Sequence, residues 1–334
     1  MNKIESNLWD GSITVIGYGV HGKKHIDKHL EQGCKYLNIV DISEKAIDEA
    51  SELKLNIYAK LFKPKKTPWL VDICTWNDSH VEYIIQSLEL GADIILVEKP
   101  AVTNIIDAQT ILSLSEKYQV PIYVSEQYLF SSGVKFSYKW FKNIKEKNNT
   151  NIFMELSKNR KDDFDIFRGG SLLKFTDIEL PHIIASLRYI LQSCNQSILD
   201  YKTIEVIKHN DFNMEIYLKY KQNIELIIKC NLLANKRKRI LQIRTKENKL
   251  KVFFDLGGID KKCKRIEIIQ DSKGLNNNIE CDSLNILIEN IKKSYNKNKI
   301  IDKLLLKNFI DDIKFLNMIN EYEENKNEEK INSK

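Results

Sequence analysis

The feature that most restricts the fold of this 334-residue chain is an apolar run that leads directly into three closely spaced glycines. The stretch reads TVIGYGVHGKKH over residues 14–25, and Gly17, Gly19 and Gly22 stand in Gly-x-Gly-x-x-Gly spacing. Such glycines join a buried strand to a helix. The first allows a tight turn, the second lets a bound phosphate approach the backbone, and the third lets the helix pack against the strand. The same spacing also occurs in turns that bind nothing, so the rest of the chain must decide.

Strand and helix patterns alternate along residues 1–128. Apolar runs such as WLVDICTW and ADIILVEKP predict buried strands, and stretches such as SHVEYIIQSLELG predict the helices between them. This alternation is typical of βαβ units. We therefore expect an α/β protein whose N-terminal domain, residues 1–128, is a Rossmann-type, doubly wound parallel sheet.

The pattern changes in residues 129–322, where strand-like runs such as TIEVIKH, FNMEIYLKY and NIELIIKCNLL follow one another through short polar connections. One long helical stretch interrupts them, and helical patterns close the chain. Strands so close in sequence predict an antiparallel sheet. We expect a C-terminal α+β domain with an open antiparallel sheet that binds substrate and mediates oligomerisation. Residues 323–334 are highly charged, which predicts a disordered tail.

Composition argues against several classes of function. The net charge of +6 is scattered, and the densest basic cluster, residues 236–239, has no flanking aromatic platform, so we expect no nucleic-acid partner. The six cysteines lie far apart, and the six histidines lack His-x-His or His-Glu-x-x-His spacing, so we expect reduced thiols and no metal site.

The polar N-terminus does not resemble a signal peptide, and no window has the roughly 18 apolar residues of a membrane span. We expect a cytoplasmic protein without membrane contact.

Asp41 ends the second predicted strand, about 20 residues after the glycines. A carboxylate there accepts hydrogen bonds from both hydroxyls of an adenosine ribose and repels a 2′-phosphate, and no arginine follows it in DISEKA. The helix that begins among the glycines adds backbone N–H groups and a partial positive charge for a pyrophosphate. These features predict NAD rather than NADP as the cofactor. The turn residues predicted to contact it are Gly17, Tyr18, Gly19, Val20, His21 and Gly22.

Two further motifs follow later strands, TWNDSH at residues 75–80 and VEKPAVTN at residues 97–104. With GYGVHGKKH they resemble the Gfo/Idh/MocA family of NAD(P)-dependent sugar and cyclitol oxidoreductases. The family's Glu-Lys-Pro motif is matched completely, whereas Trp76 replaces a proline of its Thr-Pro-Asn motif. The resemblance spans nearly the whole chain. It implies cofactor contacts from Thr75, Trp76, Asn77, His80, Glu98 and Lys99.

The resemblance also implies that Lys99 is catalytic and lies beside the nicotinamide. An ammonium there stabilises the charge that develops on a hydroxyl oxygen as its carbon loses hydride. The family places a histidine after a Gly-Gly segment, and His182 matches it as a neutral imidazole base. The family's aspartate four residues earlier is replaced by Ile178, so Asp177 and Glu179 are both candidates for orienting the imidazole. The alternatives are a surface lysine and a histidine that bonds only to backbone.

Substrate contacts are implied in two segments. In SEQYLFS, where relatives often carry Asn-x-Arg-Phe, Gln127 is a candidate cofactor contact and the missing arginine predicts a changed pocket. The polar loop SKNRKDDFDIFRGG contains arginines that could bind a carboxylate or diphosphate, although a solvated loop is the alternative. The predicted substrate contacts are Lys99, Glu126, Tyr128, Arg160, Arg168 and His182.

We therefore expect an enzyme that transfers hydride between NAD and a secondary alcohol or ketone of a sugar, nucleotide-linked sugar or cyclitol. Two alternatives stay open. One is a non-catalytic NAD- or sugar-binding sensor or partner protein, and the other is an NAD-dependent glycosidase that uses transient oxidation. An open sheet in the second domain would expose an apolar face in a monomer, so we expect a homodimer or homotetramer that packs through it.

Overall fold

The computed structural model describes residues 9–52, 55–159, 175–210, 212–254, 264–270, 273–279 and 282–332. The chain divides into two compact units. The first contains Met1–Gln127 and Leu284–Ile313, and the second contains Tyr128–Ser283 and Lys314–Lys334. The chain thus returns to its first unit at Leu284, whereas the sequence pattern assigned residues 129–322 to the second domain without interruption.

The first unit is built on a parallel sheet with helices between its strands. The strands are β1 (Ser12–Ile16), β2 (Tyr36–Val40), β3 (Ile57–Tyr58), β4 (Trp69–Ile73), β5 (Ile94–Val97) and β6 (Ile122–Val124). The helices are α1 (Val20–Glu31), α2 (Glu44–Glu52), α3 (His80–Glu89) and α4 (Ile105–Tyr118). The strand order is β3-β2-β1-β4-β5-β6 with parallel pairing, as in dinucleotide-binding folds. The predicted α/β class and Rossmann sheet are confirmed.

Continuous apolar runs form the centre of this sheet. All residues of β1, β4 and β5 are buried, as expected where helices cover both faces of a parallel sheet. Asp72 breaks the apolar run of β4 and is itself fully buried. A buried carboxylate requires hydrogen-bond partners, and these belong to the candidate site described below.

The second unit is built on a larger, mixed sheet. Its strands are β7 (Asn151–Asn159), β8 (Thr203–Asn210), β9 (Asn213–Lys219), β10 (Glu225–Asn231), β11 (Leu233–Arg244), β12 (Asn248–Phe253), β13 (Lys264–Gln270) and β14 (Lys273–Ile279). The order is β14-β13-β12-β11-β7-β10-β9-β8. The described pairs are antiparallel except that β10 runs parallel to β7. The predicted open antiparallel sheet is therefore confirmed in most of its pairs, and the one parallel pair arises because the earliest strand, β7, lies between two later ones.

Two helices of the second unit share one hydrophobic core with this sheet. They are α5 (Ser132–Asn143), which the sequence pattern did not predict, and α6 (Leu180–Leu191). Phe141 of α5 and Leu187 of α6 pack in the same buried cluster as Met154 and Leu226 of the sheet. Pro181 lies in the first turn of α6, where its missing N–H does not interrupt a helical hydrogen bond.

The opposite face of this sheet carries both half-buried apolar side chains, among them Phe153, Ile227 and Ile240, and charged ones. Lys229 lies 2.8 Å from Glu215, and Lys238 lies 3.3 Å from Glu155, so ion pairs cover the middle of this face. Side chains alternate between the two faces of a strand, and in β10 only every second residue is fully buried. The alternating pattern therefore places the fully buried apolar residues against the helices and leaves a mixed face of charged and half-buried apolar residues on the other side.

The C-terminal helices are α7 (Ser283–Asn296) and α8 (Ile310–Asn332), with short 3₁₀ turns between them. The backbone of residues 323–332 continues α8, although the sequence predicted a disordered tail there. Lysine and glutamate are good helix formers, so a charged segment extends an existing helix readily. No helix among the described residues has the length and apolarity needed to cross a membrane.

Candidate active site

The residues predicted to bind the cofactor lie at the carboxyl ends of parallel strands. Gly17 follows β1, Asp41 follows β2, Thr75 follows β4, Lys99 follows β5 and Gln127 follows β6. Because these strands are parallel neighbours, the residues share one edge of the sheet. The strand order reverses beside β1, and sheets of this type bind ligands in the crevice at that point.

The three glycines of the first turn have different physical roles. Gly17 has a φ of +98°, which favours glycine, and its N–H donates to the Val40 carbonyl at 2.8 Å. A Cβ on Gly22 would lie 1.8 Å from the Gly17 carbonyl oxygen, so this position needs glycine for α1 to pack against β1. A Cβ on Gly19 would meet no atom within 4 Å. Open space therefore adjoins Gly19 at the N-terminus of α1, and this space fits a pyrophosphate.

The Asp41 carboxylate is held beside this turn. Oδ2 accepts a hydrogen bond from the Tyr18 N–H at 2.6 Å, and Oδ1 accepts one from the Ser43 N–H at 2.8 Å. Each carboxylate oxygen has a second lone pair, so both can still accept a ribose hydroxyl. The carboxylate is thus fixed next to the glycines where the adenosine ribose of a dinucleotide would lie.

His80 connects the loops that follow β4 and β5. Its buried ring lies 3.0 Å from the Pro100 carbonyl through Nδ1 and 3.1 Å from the Thr75 carbonyl through Nε2. Burial lowers the pKa of His80, so the neutral ring donates its single N–H to one of these carbonyls. In the TWNDSH motif that contains His80, Trp76 is half-exposed, and Asn77 begins the 3₁₀ turn Asn77–Ser79. The position of His80 supports a role in joining the two loops.

Glu98 and Lys99 adjoin a buried network that the sequence analysis did not identify. His25 Nε2 lies 2.9 Å from Glu98 Oε1, and His25 Nδ1 lies 2.8 Å from Asp72 Oδ2. His29 Nε2 also contacts Asp72 Oδ2, at 2.8 Å. The sequence contained two signals for this network: histidines four residues apart on one helix, and a single charged residue inside a buried strand.

A metal ion is one chemical interpretation of part of this network. Donor atoms of His25, Asp72 and Cys74 all lie within 4.8 Å of one another, although the histidine spacing had predicted no metal site. Asp72 Oδ2 already lies at hydrogen-bond distance from two imidazoles, and Oδ1 is 3.6 Å from the Cys74 thiol. We therefore interpret the group as a hydrogen-bonded cluster.

His182 lies in the second unit within an aromatic and cationic cluster. Its side chain is 8% exposed, and its ring centroid is 4.9 Å from that of Tyr128. Tyr128 also contacts Phe254, with centroids 5.4 Å apart, and the Arg239 guanidinium lies 5.8 Å from its ring centre. Arg239 belongs to the basic cluster of residues 236–239, to which the sequence analysis assigned no binding role. Only the pairing of β11 with β7 and β12 brings it beside Tyr128.

Of the remaining predicted site residues, the structure describes three acidic ones. Asp177 ends the 3₁₀ turn Phe175–Asp177, and Glu179 is buried immediately before α6. Asp177 and Glu179 are thus both candidates for orienting His182. Glu126 is buried at the end of β6. Arg160 and Arg168 lie outside the described residues.

A family model confirms the resemblance for the first unit. Residues 12–126 match the model described as an oxidoreductase family with an NAD-binding Rossmann fold, the Gfo/Idh/MocA family. No curated protein matches the sequence closely enough to count as a relative.

Solved structures share the fold over nearly the whole chain. A UDP-N-acetylglucosamine 3-dehydrogenase from Acidithiobacillus ferrooxidans aligns with a TM-score of 0.71 and 12% identity, covering 92% of this chain and 96% of that one. An oxidoreductase from Agrobacterium radiobacter in complex with NAD⁺, L-tartaric acid and magnesium aligns with a TM-score of 0.74 and 12% identity, covering 92% and 95%. A 3-ketoreductase from Actinomadura kijaniata in complex with TDP-benzene and NADP aligns with a TM-score of 0.72 and 11% identity, covering 92% and 96%.

Proposed function

This chain carries the NAD(P)-binding domain of the Gfo/Idh/MocA oxidoreductase family, and we propose that it transfers hydride between NAD and a secondary alcohol or ketone of a sugar, nucleotide-linked sugar or cyclitol. One observation carries the proposal. The open backbone at Gly19, the fixed carboxylate of Asp41 and the Glu98–Lys99 segment lie at the same edge of the parallel sheet. A pyrophosphate, a ribose and a reacting group would each meet suitable chemistry there.

Asp41 supports NAD over NADP as the cofactor. A 2′-phosphate would approach a carboxylate that two backbone N–H groups hold in place. The residues that follow, Ile42 and Ser43, offer no positive charge to compensate. Similar folds occur with either cofactor, since the Agrobacterium protein is in complex with NAD⁺ and the Actinomadura protein with NADP. The preference is therefore argued from Asp41 alone.

In the proposed reaction, Lys99 and His182 have different tasks at the reacting hydroxyl. Bound NAD supplies the hydride acceptor. The Lys99 ammonium stabilises negative charge on the substrate oxygen, and the His182 imidazole takes its proton. In the reductive direction, the protonated His182 returns the proton to the substrate oxygen, and the Lys99 ammonium again stabilises the negative charge on that oxygen. Tyr128 and Arg239 beside His182 offer an aromatic face and a positive charge to a sugar or an anionic substituent.

The names of two similar structures support the substrate class. One acts on a UDP-linked amino sugar, and another is a 3-ketoreductase in complex with a TDP compound. We propose a sugar or nucleotide-linked sugar for this chain on that analogy. The missing arginine in SEQYLFS implies that its pocket differs from that of relatives with Asn-x-Arg-Phe.

A homodimer or homotetramer through the second sheet, in the cytoplasm, stays a prediction. Such an interface would include the ion pairs of that sheet, so sedimentation at low and high salt is the direct test.

The first experiment is calorimetric titration of NAD and NADP into the wild type, Asp41→Ala and Asp48→Ala. We expect NAD to bind more tightly than NADP, and Asp41→Ala to weaken NAD binding by about tenfold or more, because hydrogen bonds to a charged acceptor are lost. The matched control Asp48→Ala removes an exposed carboxylate on α2 and should bind NAD as the wild type does. Absence of binding by either cofactor would overturn the proposal.

The second experiment screens sugars and nucleotide-linked sugars for NADH formation, with Lys99→Ala and His182→Ala as variants. Net NADH from the wild type and its loss in both variants would support a dehydrogenase. Glycoside cleavage without net NADH would support the glycosidase alternative instead. Tight NAD binding with neither product would favour a sensor or partner protein.

A further inference from the structure

A continuous chain of buried side chains runs from Glu98 into the core of the first unit. Glu98 Oε1 contacts His25 Nε2 at 2.9 Å, His25 Nδ1 contacts Asp72 Oδ2 at 2.8 Å, and the same oxygen contacts His29 Nε2 at 2.8 Å. His25 and His29 are 1% and 0% exposed, and Asp72 is 0% exposed. Nothing in the proposed chemistry of Lys99 and His182 uses these groups.

The geometry determines the protonation of His25. Both of its ring nitrogens lie at hydrogen-bond distance from carboxylate oxygens, and a neutral imidazole can donate from only one nitrogen. Burial opposes the charged ring, but the charge and hydrogen bond of Asp72 raise the pKa of His25 well above its ordinary value. His25 is thus an imidazolium that donates to Asp72 and Glu98 at once.

The groups around His25 are consistent with this charge. Burial opposes ionisation of Glu98, yet the His25 hydrogen bond and the positive charges of His25 and Lys99 hold its pKa below the ordinary range. Asp72 stays ionised because both histidines donate to it, and the Cys74 thiol beside it stays protonated because burial raises its pKa.

The next imidazole has the opposite state. Burial and the nearby Lys292 lower the pKa of His29 to about 4, so the ring is neutral and donates from Nε2 to Asp72. Its Nδ1 has no hydrogen-bond partner among the described residues. On the solvent side, His21 Nδ1 lies 3.9 Å from Glu98 Oε2, at the edge of ion-pair distance.

We propose that His25 and Asp72 are positioning residues for Lys99: an imidazolium held between two carboxylates keeps Glu98 ionised and oriented, and Glu98 in turn sets the charge beside the neighbouring lysine. This inference rests on the catalytic role proposed for Lys99. Lys99 directly follows Glu98 in the chain, and its positive charge is one of those that lower the pKa of Glu98. Attraction between opposite charges is mutual, so the ionised Glu98 favours the ammonium form of Lys99. The network therefore maintains the positive charge that the substrate oxygen requires.

The protonation states can be tested without a substrate. Imidazole rings are labelled with ¹⁵N, and two-bond ¹H–¹⁵N spectra, which distinguish imidazolium from each neutral tautomer, are recorded from about pH 5 to about pH 9. We expect one ring to stay doubly protonated over the whole range and another to stay neutral with its proton on Nε2. Loss of these signals in His25→Gln and His29→Gln assigns them. A His25 ring that titrates near its ordinary pKa of about 6.5 would overturn the inference.

The positioning role is tested with substrate in hand. His25→Gln should lower kcat by on the order of 10-fold to 100-fold, the usual cost of removing a group that orients a reacting one, with little change in the Kd for NAD. In a Glu98→Gln background the same substitution should add almost no further loss, because His25 acts through Glu98. His209→Gln, which removes an exposed histidine of the second unit, is the matched control.

A pH profile gives an independent readout. Glu98→Gln removes the negative charge beside Lys99, so the pKa of Lys99 falls and the basic limb of kcat/KM should move to lower pH. Additive losses from His25→Gln and Glu98→Gln, or an unmoved basic limb in Glu98→Gln, would overturn the positioning role. If the variants fail to fold, the wild-type spectra still show whether any ring stays doubly protonated from about pH 5 to about pH 9, and the absence of such a ring would overturn the inference. An inactive wild type with the expected spectra would count against the proposed function only.

Discussion

At the scale of single residues, the three glycines of the first turn are needed for different physical reasons. Gly17 is required by its backbone conformation and Gly22 by the approach of α1 to β1, whereas Gly19 lies beside open space. The first two are therefore needed by the fold itself, and the third is needed only if a ligand occupies that space. This difference separates a dinucleotide site from a turn that binds nothing.

Alanine substitutions at Gly19 and Gly22 test this difference directly. Gly22→Ala should destabilise the protein by roughly 3 kcal/mol or more, because its Cβ would overlap the Gly17 carbonyl oxygen. Gly19→Ala should fold with stability within about 0.5 kcal/mol of the wild type but bind NAD at least about tenfold more weakly. Thermal melting and calorimetry measure the two effects. Wild-type NAD affinity in a folded Gly19→Ala protein would contradict the proposed site.

Asp72 shows what residue types alone can indicate. A lone carboxylate inside WLVDICTW breaks an otherwise apolar strand, and burying it unpaired would be costly. The sequence therefore implies that Asp72 has a partner. It does not identify His25 and His29 as those partners, because the two side chains reach Asp72 only when α1 packs against the sheet beside β4.

At the scale of elements, helix α7 contributes an unusual buried cation to the first unit. Lys292 is 0% exposed, and its Nζ has no hydrogen-bond partner among the described residues. Burial lowers its pKa from 10.5 to about 8, and this effect outweighs the attraction of Cys34 and Asp72. A lysine that is harder to protonate in the folded state than in the unfolded state destabilises the fold wherever it is charged.

Replacing Lys292 with methionine should therefore stabilise the protein, most strongly at neutral pH. Below about pH 8 the folded and unfolded states both carry the charge, and the folded state is penalised by on the order of 3 kcal/mol. Between about pH 8 and 10.5 the unfolded state binds more protons, so wild-type stability rises with pH and the advantage of Lys292→Met shrinks.

Denaturant unfolding at pH 7 and near pH 10 measures this advantage. Lys293→Met is the matched control, since Lys293 is its sequence neighbour, is partly exposed and pairs with Glu289 at 2.6 Å. A Lys292→Met variant that is less stable than the wild type at pH 7 would show that the ammonium has a stabilising partner.

At the scale of the whole molecule, the first unit is completed by a distant segment of the chain. Gln32 Nε2 donates to the Asn285 carbonyl at 3.0 Å, and the rings of Trp9 and Tyr295 lie 5.2 Å apart. Leu305 forms an isolated bridge with Tyr123 of β6 at the edge of the Rossmann sheet. The buried apolar residues Leu287, Ile288, Ile291, Leu304 and Leu306 belong to the same returning segment.

The cofactor domain should therefore fold only when this segment is present. A fragment of residues 1–127 should show poor NMR dispersion and no NAD binding, because removing residues 284–313 exposes apolar surface of the unit. The same fragment joined through a flexible Gly/Ser linker to residues 284–313 should fold and bind NAD. Cooperative unfolding and tight NAD binding by residues 1–127 alone would contradict this dependence.

The sequence by itself determined those features that depend on interactions between residues close together in the chain. Alternating apolar runs predicted the Rossmann sheet, the glycine spacing predicted the turn before α1, and Asp41 was placed at the end of β2. The Asn104 side chain caps α4, accepting a hydrogen bond from the Asp107 N–H at 2.8 Å. Each of these features rests on backbone conformation or hydrogen bonds within a short stretch of chain.

Only the tertiary structure decided what depends on distant segments meeting. The parallel pairing of β7 with β10, the return of residues 284–313, the His25–Asp72–Glu98 network and the contact of Arg239 with Tyr128 all join positions far apart in the chain. A local pattern reports propensity and which face is apolar, but it cannot report which partner a strand or side chain meets. That choice is made by the packing of the whole unit, where a buried charge or strand edge is stable only beside a complementary group.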